Sequence, residues 1–203
     1  MATPISHIIY AKKYFEKHPS TINKDEFILG CAFPDIRRID ENIKRKDTHL
    51  HFDTLDLNFE GLTAFQAGWK FHLYCDMRRE EILKNHGFYS LPNTEDFGRL
   101  AGKHLDDELV YENYNNWEKL VHYFNNPSIV EALPGVSRET FSLWYAITAK
   151  YIEKKPDSRA THGFLVKQPS LVKKADGIIQ SIDKLRKDEK VVELLKKVAE
   201  EIV

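Results

Sequence analysis

The chain has 203 residues, which suits a single domain with its own hydrophobic core. Apolar residues make up 42% and charged residues 30% of the sequence, and this balance excludes wholesale disorder. The formal net charge is −1, so no basic excess indicates nucleic acid as a partner. The sequence has no run of about 18 apolar residues and its start lacks a signal-peptide core, so we expect a cytoplasmic protein without a membrane span.

Helical patterns dominate from the start of the chain. Thr3 and Pro4 suit an N-cap and a first helical position, and they predict a helix over residues 4–17. A short apolar helix is predicted over residues 24–32, and a proline soon after it disfavours its continuation. Residues 36–60 are predicted to be irregular, because charged and polar residues interrupt every apolar repeat there.

A long helix is predicted over residues 61–85, with one face buried. The residues that share this face at helical spacing are Leu62, Phe65, Trp69, His72, Asp76, Arg79 and Leu83. A glycine at position 87 is a suitable stop signal for this helix.

The remaining elements are also predicted to be helical. The periodicity favours helices over residues 97–124 and 137–153, then a loop around Pro156 that contains a His-Gly pair. Residues 170–203 are predicted to form one or two amphipathic helices rich in Lys and Glu. Strand signals are weak throughout, so the predicted fold class is all-α, with residues 1–203 as one single-domain helical bundle.

The sharpest chemical pattern lies in the long helix. His72 and Asp76 are four residues apart, so the imidazole and the carboxylate share a face and can reach one point. That face is predicted to be buried, and a buried carboxylate is costly unless it is paired or bound to a metal. A His–Asp hydrogen bond that only joins helices is the alternative.

Further candidate ligands are spread over the first quarter of the chain. They are His7, Asp35 and His49, with His51 as an alternative to His49. Taken singly, each has a simpler interpretation. His7 would be a buried histidine among isoleucines, Asp35 a turn residue after a proline, and His49 a surface histidine.

Taken together, these residues resemble a known family. An early histidine is followed by FILGCAFPDIRR, then by Asp47-Thr48-His49, and then by AGWKFHLYCD. Over residues 5–80 this order resembles the zinc-dependent phospholipase C family, which is related to the P1/S1-type nucleases. Its members show an early His, an apolar run ending in Pro-Asp, a Thr/Ser-His pair, and His-x-x-x-Asp preceded by small residues. The resemblance implies an all-helical bundle with a metal cluster at one end.

The resemblance also implies which residues hold the metal. His49, His72, Asp76 and Asp35 would surround one zinc ion, and Asp76 would bridge to a second ion that His7 also binds. Asp35 would serve as a ligand or as a general base. Zinc is the first choice, and manganese or iron would also accept this mixed set of ligands.

A third zinc site in the family uses a further His and a later His-x-x-x-Glu. His104 and Glu108 have this spacing, and His86 is the candidate for the extra histidine. The intervals differ from those of the family, and Asp107 is as suitable a partner for His104 as Glu108 is. A solvent-exposed helix face is the alternative for His104 and Glu108.

Two arginines follow each of the candidate aspartates Asp35 and Asp76 after one intervening residue. They are Arg37, Arg38, Arg78 and Arg79. A guanidinium group suits phosphate, so one of them could face a phosphate substrate. Exposed surface arginines are the simpler interpretation.

The leading hypothesis is a metal-dependent phosphoester hydrolase, phospholipase C-like, in which a metal-activated water attacks a phosphodiester or phosphomonoester. The alternative is a non-catalytic family member that keeps a structural metal and acts through protein contacts. A helical scaffold whose histidines only pack is the third hypothesis. An HD-type phosphohydrolase is disfavoured because the sequence has no adjacent His-Asp pair. The substrate, the oligomeric state and the number of ions are left open.

Overall fold

The computed structural model describes residues 3–49, 54–127 and 135–203, and helices are the only regular structure in these ranges. The α-helices are α1 (Pro4–Lys17), α2 (Lys24–Ala32), α3 (Arg45–Thr48), α4 (Ala64–Asn85), α5 (Gly98–Val110), α6 (Trp117–Asn125), α7 (Arg138–Ile152), α8 (Ser158–Leu165), α9 (Ala175–Leu185) and α10 (Glu189–Glu201). Short 3₁₀ helices cover Phe33–Arg38, Phe88–Ser90, Tyr111–Asn113 and Val172–Lys174. The predicted all-α class is confirmed. None of the helices in the described ranges combines the length and the apolar character that crossing a bilayer requires.

The first two helices begin and end at the predicted residues. Pro4 occupies the first position of α1, where its missing N–H leaves no intrahelical bond unmade. The side chain of Asn23 caps α2 by accepting the backbone N–H groups of Asp25 and Glu26. Residues 170–203 form two helices, α9 and α10, as one of the two expected outcomes.

Helix α4 and the segment before it refine the prediction for residues 36–85. α4 begins at Ala64 rather than residue 61, because Thr63 and Gln66 form a reciprocal capping box. The stretch predicted to be irregular is mostly so where it is described, but it holds the one-turn helix α3. The indole N–H of Trp69 donates to the Thr48 carbonyl at 2.6 Å and so fixes the end of α3 against α4.

The prediction of a single helix over residues 97–124 is wrong, because α5 ends at Val110. A 3₁₀ turn follows Val110, and the backbone is extended at Tyr114 before α6 starts at Trp117. The Trp117 indole donates to the Tyr111 carbonyl at 3.2 Å and stacks on the Tyr111 ring. The contact between Tyr111 and Trp117 closes a turn between α5 and α6, and this turn interrupts the helix that the spacing of the apolar residues predicts.

The loop predicted around Pro156 is also wrong beyond its first residues. His162 and Gly163 lie inside α8, whose N terminus is capped by Asp157 accepting the Ala160 N–H at 2.7 Å. Phe164 is buried against Trp144 of α7, so tertiary packing stabilises a helix of only eight residues.

The contact between α2 and α4 is the closest helix crossing that positions the site. A Cβ atom on Gly30 of α2 would collide with the carbonyl oxygen of Phe65 in α4. A Cβ atom on Gly68 of α4 would collide in the same way with the carbonyl oxygen of Phe27 in α2. Only glycine at both positions lets the two backbones touch, so α2 lies directly against the face of α4 that carries His72.

Helix α7 holds the carboxyl end of α2 from the other side. The Trp144 indole donates to the Ala32 carbonyl at 2.9 Å, and the Tyr145 hydroxyl donates to the Leu29 carbonyl at 2.6 Å. The last carbonyls of a helix lack intrahelical partners, and Trp144 satisfies that of Ala32. Tyr145 gives the Leu29 carbonyl a second donor beside the Phe33 N–H. The chain therefore leaves α2 in a fixed direction, towards the 3₁₀ helix that contains Asp35.

Helix α5 packs against α1, α9 and α10 and is tied to α4 by a buried ion pair. The guanidinium of Arg79 donates from Nε and Nη2 to one carboxylate oxygen of Asp106, and both side chains are 1% exposed. Arg79 is therefore not an exposed arginine. It is also not available to bind phosphate, because its guanidinium is buried and paired with Asp106.

Adding a single methyl group at the α2–α4 contact tests its importance. We expect Gly30→Ala and Gly68→Ala each to lower the free energy of unfolding by about 3 kcal/mol, the upper end of the usual cost of overpacking, because the new Cβ meets backbone that cannot rotate away. Urea denaturation followed by circular dichroism measures this change.

Gly163→Ala is the matched control for these two variants. Gly163 is exposed within α8 and a Cβ there meets no atom within 4 Å. Alanine should therefore stabilise this helix by roughly 0.5–1 kcal/mol. Equal effects at positions 30, 68 and 163 would contradict the close contact.

Candidate metal centre

Three buried side chains from two helices meet at one point. His72 and Asp76 project from the inner face of α4, and His7 projects from the first turns of α1. His7 and His72 are each 1% exposed and Asp76 is 9% exposed. One ligand atom from each residue lies within 4.8 Å of the other two, and this is the one such group of three or more found among the described residues. The predicted His72–Asp76 pair and the predicted early histidine are thus brought together.

Backbone carbonyls fix which nitrogen of each imidazole carries the proton. Nδ1 of His7 is 3.1 Å from the Thr3 carbonyl oxygen, and Nδ1 of His72 is 2.7 Å from the Cys31 carbonyl oxygen. A carbonyl oxygen can only accept, so Nδ1 must be the donor in both rings. In a neutral imidazole this leaves Nε2 with a bare lone pair, which is the arrangement that metal-binding histidines use.

The two lone pairs point at a carboxylate. Nε2 of His7 lies 3.6 Å from Asp76 Oδ1, and Nε2 of His72 lies 3.6 Å from Asp76 Oδ2. These separations are too long for hydrogen bonds, and both Nε2 atoms are buried without a hydrogen-bond partner among the described residues. Zinc ligands at about 2.1 Å in a tetrahedron lie roughly 3.4 Å apart, so a cation fits between these atoms.

The electrostatics keep the histidines neutral and the carboxylate charged. Burial, with repulsion from His7 added to it, lowers the pKa of His72 to about 4. Burial also lowers the pKa of His7, although Asp76 and Asp35 oppose the shift. Burial by itself would raise the pKa of Asp76, but electrostatic interactions with neighbouring groups, which include the imidazoles of His72 and His7, hold it at about 2. These are the protonation states that a metal ion requires of its ligands.

The imidazoles of His7 and His72 are stacked. Their ring centroids are 3.9 Å apart and their planes differ by 10°. Two imidazolium ions would repel each other at this distance inside the protein, so the stack is stable only while at least one ring is neutral. The stacking holds both Nε2 atoms on the same side, towards Asp76.

Asp35 lies beside this group but is held by arginines. Its carboxylate accepts from Arg38 Nε at 2.8 Å and lies 3.9 Å from Arg37 Nη2. Burial would raise the pKa of Asp35, but Arg38, His72 and Arg37 together hold it well below its ordinary value. Its charge acts on both His7 and His72, so it borders the centre without belonging to the three-residue group.

His49 is the second neighbour of the group. Its ring lies edge-on to that of His72, with centroids 5.9 Å apart, and its Nε2 is buried without a hydrogen-bond partner among the described residues. Nδ1 of His49 is 3.1 Å from the Thr48 hydroxyl. Burial, with repulsion from His72, lowers the pKa of His49 to about 3, so it too is neutral. The alternative residue, His51, lies outside the described residues.

The residues predicted for a third metal site have other partners. His86 lies at the carboxyl end of α4, 3.2 Å from the carboxylate of Glu201. His104 is buried, with Nδ1 3.5 Å from the Tyr151 hydroxyl. Glu108 accepts a forked pair of hydrogen bonds from Arg186. The structure does not bring these three predicted ligands into one group, because each faces a different helix.

Asp107, the other partner considered for His104, is hydrogen-bonded to α1 instead. Its carboxylate accepts from the backbone N–H of Ser6 at 2.8 Å and from the Ser6 hydroxyl at 2.7 Å. Burial raises the pKa of Asp107 to about 7 despite these bonds. This carboxyl therefore ties α5 to α1 directly next to His7 and helps to set the position of that ligand.

A cavity of about 380 Å³ opens onto Asp76. Its wall includes His49 and two arginines, Arg45 and Arg99, which sequence reasoning did not single out. Arg99 lies 2.8 Å from Glu80, which also lines the cavity. Asp76, a member of the buried three-residue group, is therefore accessible from this cavity.

Lys103 was also missed by sequence reasoning. It is 4% exposed on α5, and burial lowers its pKa to about 7, with Arg38 adding to the shift and Asp76 and Asp35 opposing it. The signal available in the sequence was its place beside His104 on the apolar face of a predicted helix. A buried lysine beside two aspartates adds positive charge to the rim of the centre.

Comparison of the chain with protein-family models, with curated proteins and with solved structures finds no match. The resemblance to the zinc-dependent phospholipase C family therefore stays a prediction from motifs. What the geometry provides is a buried group, His7, His72 and Asp76, that could bind a metal ion.

Removing either α4 ligand should abolish metal binding. After reconstitution with zinc and desalting, we expect the unsubstituted protein to retain zinc, and His72→Ala and Asp76→Ala to retain none. Each substitution removes one of only three close ligands. Elemental mass spectrometry gives the metal content, and zinc should raise the melting temperature of the unsubstituted protein but not that of His72→Ala or Asp76→Ala.

His86→Ala is the control for metal binding. His86 is partly exposed and contacts Glu201, so this variant should retain as much zinc as the unsubstituted protein. A protein that holds no zinc, manganese or iron after reconstitution, or a His72→Ala variant that holds as much as the unsubstituted protein, would contradict the metal centre.

The metal-free protein should lose stability as the pH falls below 6.5. The pKa of His72 is about 4 in the folded protein and 6.5 ordinarily, so the unfolded chain binds its proton first. The free energy of unfolding therefore decreases between pH 6.5 and 4, and His72 alone accounts for about 2 kcal/mol of that loss at pH 5. Urea denaturation in chelator at pH 7 and pH 5 measures the loss.

His72→Gln isolates the contribution of His72 to this pH dependence. Glutamine keeps an N–H that can donate to the Cys31 carbonyl but does not titrate. The stability difference between pH 7 and pH 5 should be smaller in His72→Gln by about 2 kcal/mol. An unchanged difference would show that His72 is not held neutral by the fold.

Proposed function

We propose that this protein is a metal-dependent phosphoester hydrolase with a phospholipase C/P1 nuclease-like helical fold. One observation carries the proposal: two imidazole lone pairs converge with a carboxylate on the wall of an arginine-lined cavity. A cation satisfies the buried nitrogens, and the arginines suit the phosphate of a substrate. The ordered motifs over residues 5–80 support the same class.

His7, His72 and Asp76 would hold the metal ion. Two neutral imidazole nitrogens and a carboxylate form a ligand set that zinc accepts, and manganese or iron accept it as well. His49 would complete the set after a small movement, because its Nε2 is buried without a hydrogen-bond partner among the described residues and its ring lies edge-on to that of His72. Whether one ion or two bind follows from the metal content.

When bound, zinc supplies a Lewis acid that polarises a phosphoryl oxygen and lowers the pKa of water to about 7. The protein's own groups keep the centre ready for this chemistry. The Thr3 and Cys31 carbonyls keep the Nε2 atoms of His7 and His72 deprotonated. Arg45 orients an anionic group at the cavity mouth, and the buried wall around His72 excludes water from the far side.

Asp35 has a narrower role in this proposal than the motif implies. A carboxylate held by Arg38 and Arg37 is a poor proton acceptor, because protonation would break both ion pairs. We therefore propose that Asp35 balances charge beside the metal, or binds it after moving away from Arg38. In either role Asp35 would not act as a general base, because Arg38 and Arg37 stabilise its charged form.

The alternative, a structural metal in a non-catalytic protein, is less well supported. Structural zinc sites are closed by four protein ligands. Here the group borders a cavity that reaches solvent at Arg45 and Arg99. That opening leaves room for water and substrate beside Asp76.

Hydrolysis of aryl phosphates tests the function. The zinc-loaded protein should release p-nitrophenol from p-nitrophenyl phosphate or from bis-p-nitrophenyl phosphate, whereas the chelator-treated protein should not. We expect His72→Ala and Asp76→Ala to reduce kcat/KM by at least about 1,000-fold, since both remove the metal. His86→Ala should retain full activity. A protein that keeps its zinc but hydrolyses neither ester would favour the structural-metal alternative.

A further inference from the structure

One face of α4 forms a continuous wall of the cavity beside Asp76. Leu73, Asp76, Met77 and Glu80 all line the cavity, and their spacing of three and four residues places them on one side of the helix. Glu80 follows Asp76 by four residues, so its backbone lies about 6 Å further along the helix axis. The cavity therefore extends from Asp76 of the metal centre to a second carboxylate at Glu80.

The Glu80 carboxylate is held between two side chains. Its Oε2 accepts a hydrogen bond from the Tyr89 hydroxyl at 2.9 Å, and its Oε1 lies 2.8 Å from Nη2 of Arg99. Burial alone would raise the pKa of Glu80, but the hydrogen bonds from Arg99 and Tyr89 lower it, so the carboxylate stays charged. The Arg99 guanidinium also lies over the Tyr89 ring, with Cζ 5.5 Å from the ring centroid.

These linked contacts give Arg99 a defined position on the cavity wall. A single ion pair between exposed side chains contributes little, whereas a network of contacts restricts its members more strongly. The Arg99 side chain is 61% exposed and lines the cavity, so a ligand can reach it. A guanidinium has five N–H groups in one plane, so contact with one carboxylate leaves donors for a second acceptor.

A phosphoryl group is the acceptor that these donors suit. Its oxygens match the planar guanidinium, which can donate two parallel hydrogen bonds to them. Arg99 and Asp76 line the same cavity, so a phosphate that binds a metal ion at Asp76 would lie on the side of Asp76 that faces Arg99. Because Glu80 balances the charge of Arg99, this recognition depends on the direction of the N–H groups more than on net charge.

We infer that Arg99 binds the phosphoryl group of the substrate, and that Glu80 and Tyr89 are positioning residues that hold its guanidinium at the cavity wall. This inference rests on the proposed function and adds a binding residue to its site. A fixed guanidinium loses less conformational entropy when it binds an anion than a mobile one does. Removing either positioning residue should therefore reduce affinity even though Arg99 is retained.

Removing the negative charge of Glu80 separates positioning from net charge. Glu80→Gln makes the cavity wall more positive, so an effect of charge alone would strengthen the binding of phosphate. If Glu80 positions Arg99, the same substitution should weaken binding about threefold, and Tyr89→Leu should act in the same direction. Isothermal titration calorimetry of the zinc-loaded protein with inorganic phosphate measures the Kd without turnover. Equal or tighter binding by Glu80→Gln would overturn the positioning role.

Two substitutions of Arg99 test its N–H groups. Arg99→Gln and Arg99→Lys should each weaken phosphate binding about tenfold, because both lose the planar group although lysine keeps the charge. An Arg99→Lys variant that binds phosphate as tightly as the unsubstituted protein would overturn the inference. Zinc-loaded protein that binds no phosphate would also overturn it.

Glu81→Gln is the matched control. Glu81 is the next residue of α4, but it pairs with Arg78 and does not line the cavity. The substitution removes the same charge, and the variant should bind phosphate as tightly as the unsubstituted protein. Equal weakening in Glu80→Gln and Glu81→Gln would overturn the assignment of Glu80 as a positioning residue.

The kinetics of p-nitrophenyl phosphate hydrolysis separate this inference from the proposed function. Arg99→Gln and Glu80→Gln should raise KM by about the factors that apply to phosphate binding, whereas Glu81→Gln should leave KM unchanged. Active protein whose KM is the same in Arg99→Gln and Glu81→Gln would overturn this inference and leave the hydrolase proposal standing. Protein that binds phosphate through Arg99 but hydrolyses neither aryl ester would overturn the hydrolase proposal and leave the anion-binding role of Arg99 standing.

Discussion

The contact between the backbones of α2 and α4 is the constraint on which the site depends. Gly30 and Gly68 each face a carbonyl of the opposite helix at a distance that admits no side chain. This approach places the Cys31 carbonyl 2.7 Å from Nδ1 of His72. A wider crossing would break that hydrogen bond, free the His72 ring and lose the fixed direction of its Nε2 atom. The packing of α2 against α4 therefore also fixes the orientation of the His72 ring.

The same logic extends to α1. His7 is oriented by the Thr3 carbonyl one turn earlier, and Asp107 of α5 anchors the neighbouring Ser6. His7 is thus held in place by the fold rather than by a hydrogen bond to Asp76. Binding of a cation would therefore need little rearrangement of the two imidazoles, because they already have the required tautomer and direction.

Charge is divided between the centre and its rim. The close ligands are neutral imidazoles and one carboxylate, while arginines and Lys103 surround them. Burial causes the first feature, since an imidazolium would lose its hydration next to a stacked neighbour. The second feature needs Asp35, whose carboxylate keeps Arg37 and Arg38 together at the edge of the core. The centre can therefore attract both a cation and an anion.

The sequence by itself determined the helices with clear local signals. Pro4, Pro34 and the apolar periodicity predict α1 and α2, and the His-x-x-x-Asp spacing places His72 and Asp76 on one face of α4. It did not determine where α5 ends or that α8 exists, because the Tyr111–Trp117 stack and the burial of Phe164 are tertiary contacts.

The tertiary structure alone decided which candidate ligands meet. His7 and His72 come together because α1 and α4 pack on the same core, whereas His86, His104 and Glu108 have similar residue types but face different helices. The spacing of two residues in one helix determines whether their side chains point in the same direction. It carries no information on the distance between helices, such as that between α2 and α4, which depends on Gly30 and Gly68.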